Sequence, residues 1–194
     1  STDLAGTFAK DTQRIMESEA FKDVFPEVRI PEKGTPANGK IRQADRFEIL
    51  GHRGSYYSVG VGGSLTGRGA DILVVDDPVS NMEDAMSERV REKTWDWFTS
   101  VAYTRLSPGA GMVVMATRWH MDDLIGRLLD AQHRGEGDVW EVVNYPAIAE
   151  HDEPHRKQGE ALHPKRFGLK SLEAIRRAVG SKVWNALYQQ HPVP

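Results

Sequence analysis

Apolar side chains recur along this chain at two spacings, and the alternation between them predicts its elements. Leu4, Phe8, Ile15 and Met16 fall near one face of a helix running from Asp3 to Phe21. Pro26 and the Pro- and Gly-containing stretch 31–39 predict a loop. Phe47–Leu50 and Tyr56–Val61 predict two short strands joined by a turn around Gly51–Gly54. Ile72–Val75 is an unbroken apolar run, rich in β-branched residues, which suits a strand covered on both faces. Ser80 and Glu83 have capping-box spacing and open a helix predicted to reach about Leu106, with Met86, Val90, Phe98 and Val101 inward. Pro108-Gly109 ends it. Met112–Ala116 is a second apolar run, and Asp122-Asp123 start a helix through Leu124, Ile125, Leu128 and Leu129 that stops before Gly135. Val139–Tyr145 predicts a further strand, 151–159 a charged loop, and 171–179 and 181–190 two short helices broken at Gly180.

Buried strands alternating with helices predict right-handed βαβ units. The expected class is α/β, a mainly parallel sheet with helices on both faces. The expected division is a core over 1–148, the charged loop over 149–170, and a C-terminal helical part over 171–194.

Composition narrows the function classes. Of 194 residues, 39% are hydrophobic and 27% charged, which excludes a disordered chain. No apolar run reaches the ~20 residues of a membrane span, and Ser1-Thr2-Asp3-Leu4 lacks the start of a signal peptide. With no cysteine there are no disulfides or thiolate ligands, which suits a reducing cytoplasm. A net charge of −3 denies the chain an overall basic surplus, so any DNA contact needs a local patch. Lys165, Arg166, Lys170, Arg176, Arg177 and Lys182 are such a patch in outline, although a solvated helix face is the plainer account. His151 and His155 flank Pro154, so no helix aligns them for a metal.

Chemistry in open α/β sheets gathers at the carboxyl ends of strands. The first apolar run ends in Asp76-Asp77, the Walker B arrangement of P-loop ATPases. There one acid holds Mg²⁺ and its neighbour polarises the attacking water. Taken alone the pair also fits an ordinary strand end with one Asp capping a turn. The second run ends in Thr117, placed for a sensor of the γ-phosphate or for a plain N-cap. Gly62–Gly69 echoes a phosphate loop but lacks its Lys and Ser/Thr, and a strand follows it where a helix is required. It is not a P-loop. Its glycines present Arg68, either as an arginine finger toward a neighbouring subunit's nucleotide or as a surface cation.

Thr66–Pro78, Met115-Ala-Thr-Arg-Trp-His120 and Asn185–Pro192 together resemble the large subunits of tailed-phage and prophage DNA-packaging terminases, in order over nearly the whole chain. The resemblance implies a RecA-like P-loop ATPase core, here without its first strand and Walker A loop. It also implies ATP and Mg²⁺ as cofactors. Double-stranded DNA, a terminase small subunit, a portal protein and a homo-oligomeric ring are the implied partners, in the bacterial host cytoplasm. Asp76 then matches the magnesium residue, Asp77 the catalytic carboxylate, Thr117 the coupling residue, and Arg68 lies near the arginine finger. All of Asp76, Asp77 and Thr117 would line the nucleotide site. Where the family often has Glu, Asp77 is one methylene shorter. Without a phosphate loop or nuclease acids, this stretch alone is expected neither to hold ATP tightly nor to cut DNA. Two other readings remain: a metal-dependent nuclease joining Asp76 and Asp77 to Glu141, and a non-catalytic remnant that binds partners.

Overall fold

The structure is a computed structural model and describes residues 2–33, 40–65, 67 and 69–193. The chain divides into two compact units, residues 1–68 and 69–194.

In the first unit, helix α1 (Thr2–Glu17) is broken at Ser18, whose hydroxyl caps α2 (Glu19–Val24) by accepting from the Phe21 N–H. The predicted single helix is therefore two. Its predicted face is also displaced, because Ala9 and Gln13 are buried while Phe8 and Ile15 stand exposed. Gln13 points inward because its polar groups find partners there. It donates to the Gln43 carbonyl and accepts from Arg42 Nε, so both ends of its own amide are engaged. The two predicted strands are present but shorter, β1 (Arg46–Glu48) pairing antiparallel with β2 (Ser55–Tyr57). Phe47 stacks on Tyr56 at 4.9 Å, which closes this small core.

In the second unit, β3 (Ala70–Asp76) pairs in parallel with β4 (Leu106–Met115). Between them run α3 (Met82–Met86), α4 (Glu88–Trp97) and two further helical turns, 98–102 and 103–105. The cap is Asn81, one residue later than predicted, because its side chain accepts from the Asp84 N–H and donates back to the Asp84 carboxylate. Pro108-Gly109 does not end a helix. It lies within β4, where the ladder jumps from Leu106 to Gly111 and Gly109 takes a φ of +82°. That irregularity is where the strand absorbs extra residues, as a β-bulge does.

Helix α5 (Leu124–His133) starts at Asp123 and stops before Gly135, as predicted. Helix α6 (Leu169–Val183) runs through a non-helical Gly180 (φ +77°, ψ 166°) into a wide turn at 184–188. The predicted break at Gly180 is thus real. Leu172, Trp184 and Ala161 form the core beneath α6, with Ile175, Val179 and Tyr188 packed around them.

The architecture is mixed α/β with a small parallel sheet, and two expectations need correction. Residues 139–145 have no regular secondary structure and join no ladder among the described residues. The β3–β4 sheet is not covered on both faces, since Ile72 is 73% exposed, and Val74, Val113 and Met115 are about half exposed. No helix among the described residues is long and apolar enough to cross a membrane.

Candidate functional site at the carboxyl end of the parallel pair

A parallel ladder delivers the ends of both strands to the same side of the sheet. From Leu73 opposite Met112 to Asp76 opposite Met115 the register is unbroken, so the residues that follow emerge side by side. Asp77 has a φ of +40°, a left-handed conformation in which Asp is among the few tolerated non-glycine residues. Its N–H donates to the Met115 carbonyl at 3.0 Å, and its Oδ1 accepts from the Thr117 N–H at 3.0 Å. Asp77 therefore ties the end of β3 to the end of β4 across 40 residues of sequence. Asp76 closes the ladder. Its carboxylate is exposed and has no hydrogen-bond or ion-pair partner among the described residues.

Three of the four expected site residues, Asp76, Asp77 and Thr117, thus meet at one sheet end. The fourth, Arg68, lies outside the described residues.

Residues beyond Thr117 hold this arrangement from the other side. The Arg118 N–H donates to Gln190 Oε1 at 3.3 Å, and Arg118 Nε donates to Asp123 at 2.6 Å. Among the described residues, Gln190 is the second non-glycine residue with positive φ, at +60°. The two strained residues, Asp77 and Gln190, accept from consecutive backbone amides, 117 and 118. Strain of this kind costs of order 1 kcal/mol and persists where surrounding contacts over-determine it. Nothing in the sequence marks Gln190 for this role, because its contact spans 72 residues.

The 118–123 loop is clamped to the helices on either side. Asp122 accepts from Arg91 of α4 and Arg127 of α5, and Arg127 also donates to Glu92. The Arg127 guanidinium, aided by Arg91, holds the Asp122 carboxyl down at about 2. Burial pushes Asp123 the other way, upward, against the pull of Arg118. His120 accepts the Asp122 N–H through Nδ1, and burial with the Arg91 charge lowers its pKa, which suits a neutral ring. Gly126 is required by this loop. A Cβ there would run into the Met121 carbonyl oxygen.

The site opens into a cleft of about 1520 Å³. One wall is β4, the other is 138–145, and Asp76, Asp77, Thr117, Arg118 and Gln190 lie at its end. Backbone groups of 141–145 make no hydrogen bonds among the described residues, and the far edge of β4 is equally unpaired. Val139 is 90% exposed. Glu141 lines the same cleft, yet no three His, Asp or Glu residues converge closely enough to share a metal ion among the described residues, which leaves the nuclease reading without its third acid. In the charged loop, Glu153 is engaged by Arg156 and Asp152 by Lys157.

A comparison with curated proteins finds no match. Among protein families the outcome is different: the model described as terminase large subunit, T4likevirus-type, N-terminal, matches residues 16–187, and the chain belongs to that family.

Proposed function

We propose that residues 69–194 form the hydrolytic side of an ATP-driven motor that moves double-stranded DNA into a phage procapsid. Membership of a terminase large-subunit family supports a DNA-packaging role. The observation that carries the ATPase reading is the meeting of Asp76, Asp77 and Thr117 at the carboxyl end of one parallel strand pair, facing an open cleft.

The exposed, unpartnered carboxylate of Asp76 fits a hydrated Mg²⁺, which keeps several of its waters and takes one or two carboxylates. Such an ion would supply charge compensation to the phosphate oxygens. Asp77 keeps one oxygen on the Thr117 amide and leaves the other free to orient an attacking water. Through that amide, a shift of Asp77 passes to Thr117, then to Arg118 and Gln190. This is the coupling path proposed from the nucleotide to the rest of the motor.

The phosphates themselves need a loop of backbone amides at a helix N-terminus. The described residues after Gly62 offer none, since Gly63 donates to the Gly60 carbonyl in a tight turn and β3 begins at Ala70. The gap between β4 and 141–145 suits a parallel strand, whose backbone would pair with both walls and bury the exposed valines. That strand and its phosphate loop are assigned to a segment outside residues 1–194. Arg68 as an arginine finger, a ring of subunits, a portal protein and a small subunit belong to the same proposal.

The test uses the full-length parent. Asp77→Asn should abolish ATP turnover while nucleotide binding survives. Turnover at the wild-type rate would overturn the assignment.

A further inference from the structure

The segment 163–182 contains Lys165, Arg166, Lys170, Arg176, Arg177 and Lys182 against one acid, Glu173. That is a net +5 within a chain of net −3. All six cations are exposed, and none takes part in an ion pair among the described residues. The contrast with the preceding loop is sharp, because Arg156 and Lys157 there are both paired with acids. A solvated helix face that merely needs charge for solubility usually interleaves both signs. This face does not.

The cations also stand on a rigid support. Leu172, Ile175 and Val179 seat one side of α6 in the core with Trp184. Lys170 and Arg177 are two turns apart on the opposite side, by the 3.6-residue period. Arg176 lies over the Trp184 ring at 6.0 Å and Arg166 over Phe167 at 5.4 Å, which limits the freedom those side chains would lose on binding.

We propose that this face binds the phosphate backbone of duplex DNA without regard to sequence. The inference rests on the packaging reading for its choice of partner, and on charge complementarity for its place. The straight part of α6 before the break at Gly180, residues 169–179, is about 16 Å long, over which a duplex presents about 10 charges. Phosphate contact by Lys and Arg is sequence-independent, as a protein that moves along DNA requires.

The test is fluorescence anisotropy of the 1–194 chain with a mixed-sequence 30-base-pair duplex, without nucleotide, across a salt series. Lys165→Gln/Arg166→Gln/Lys170→Gln/Arg177→Gln should weaken binding at low salt by more than tenfold. It should also flatten the slope of log affinity against log salt by about 3.6, or 0.9 for each phosphate no longer neutralised. A charge-matched control, Lys10→Gln/Arg29→Gln/Lys33→Gln/Arg53→Gln, should keep nearly the wild-type affinity and slope. Equal loss in the two variants, no binding by the wild type, or tighter binding to phosphatidylserine vesicles than to the duplex would each overturn the proposal. None of these measurements involves hydrolysis. A failure here therefore stands apart from a failure of Asp77→Asn in the parent.

Discussion

The end of the cleft and its wall at 141–145 are built on opposite terms. At the carboxyl end of β3 and β4, backbone amides 117 and 118 each have a side-chain acceptor, and the following loop is held by Arg91, Arg118 and Arg127. Along the cleft wall at 141–145, no backbone group is paired among the described residues and the valines face outward. Unmet backbone groups beside exposed β-branched side chains are the signature of a strand without its neighbour. The candidate site at the end of the β3–β4 pair is thus held by side-chain contacts, whereas the wall at 141–145 has no such support among the described residues.

The contrast is most open to challenge at Gly126. Gly126→Ala would drive a methyl into the Met121 carbonyl and should cost about 3 kcal/mol, read from chemical denaturation. A cost near zero would mean that the 118–123 loop is not clamped. Asp122→Ala comes next. It leaves Arg91 and Arg127, both mostly buried, without their shared acceptor, and should cost about 2 kcal/mol. Gln190→Ala should cost about 1 kcal/mol, and Gln190→Gly less, because glycine takes a φ of +60° without strain.

Acid should loosen the same clamp. The folded pKa of Asp122 is depressed to about 2 from 3.8, so its contribution is complete above pH 4 and is lost as pH falls toward 2. Its side chain is 43% exposed, so screening reduces the effect to about 1 kcal/mol. Asp123, raised by burial, works against this and makes the fall shallower. Smallest of all is Val142→Asp on the unpaired wall. In the 1–194 chain it should shift stability by less than about 0.5 kcal/mol. In a parent with the gap filled it should be strongly destabilising, and equal effects in the two would sink the strand-gap reading.

Much of the local structure was legible from residue patterns. The β3 and β4 runs, the start of α5 at Asp123 and the break at Gly180 all have short-range causes: branched apolar runs, a capping carboxylate, and a residue free to take positive φ. The misses have long-range causes. Val139–Tyr145 has a strand's composition, but a strand needs a partner edge, and none lies against it among the described residues. Phe8 and Ile15 suggest the wrong face of α1, because the burial of Gln13 is made tolerable only by hydrogen bonds to Arg42 and Gln43, 29 and 30 residues away.

The candidate site divides in the same way. Asp76, Asp77 and Thr117 could be named from the sequence, because an apolar run ending in a polar residue is a local signal. That Asp77 would turn back at φ +40° and hold the Thr117 amide was not local, and neither was the second hold by Gln190 on Arg118. Those contacts join residues 40 and 72 positions apart. Parallel pairing of β3 with β4 brings the first pair together, and the packing of the wide turn at 184–188 against α6 places the second. Residue type determined which groups stand as candidates for chemistry; the tertiary structure alone decided which backbone amides they hold.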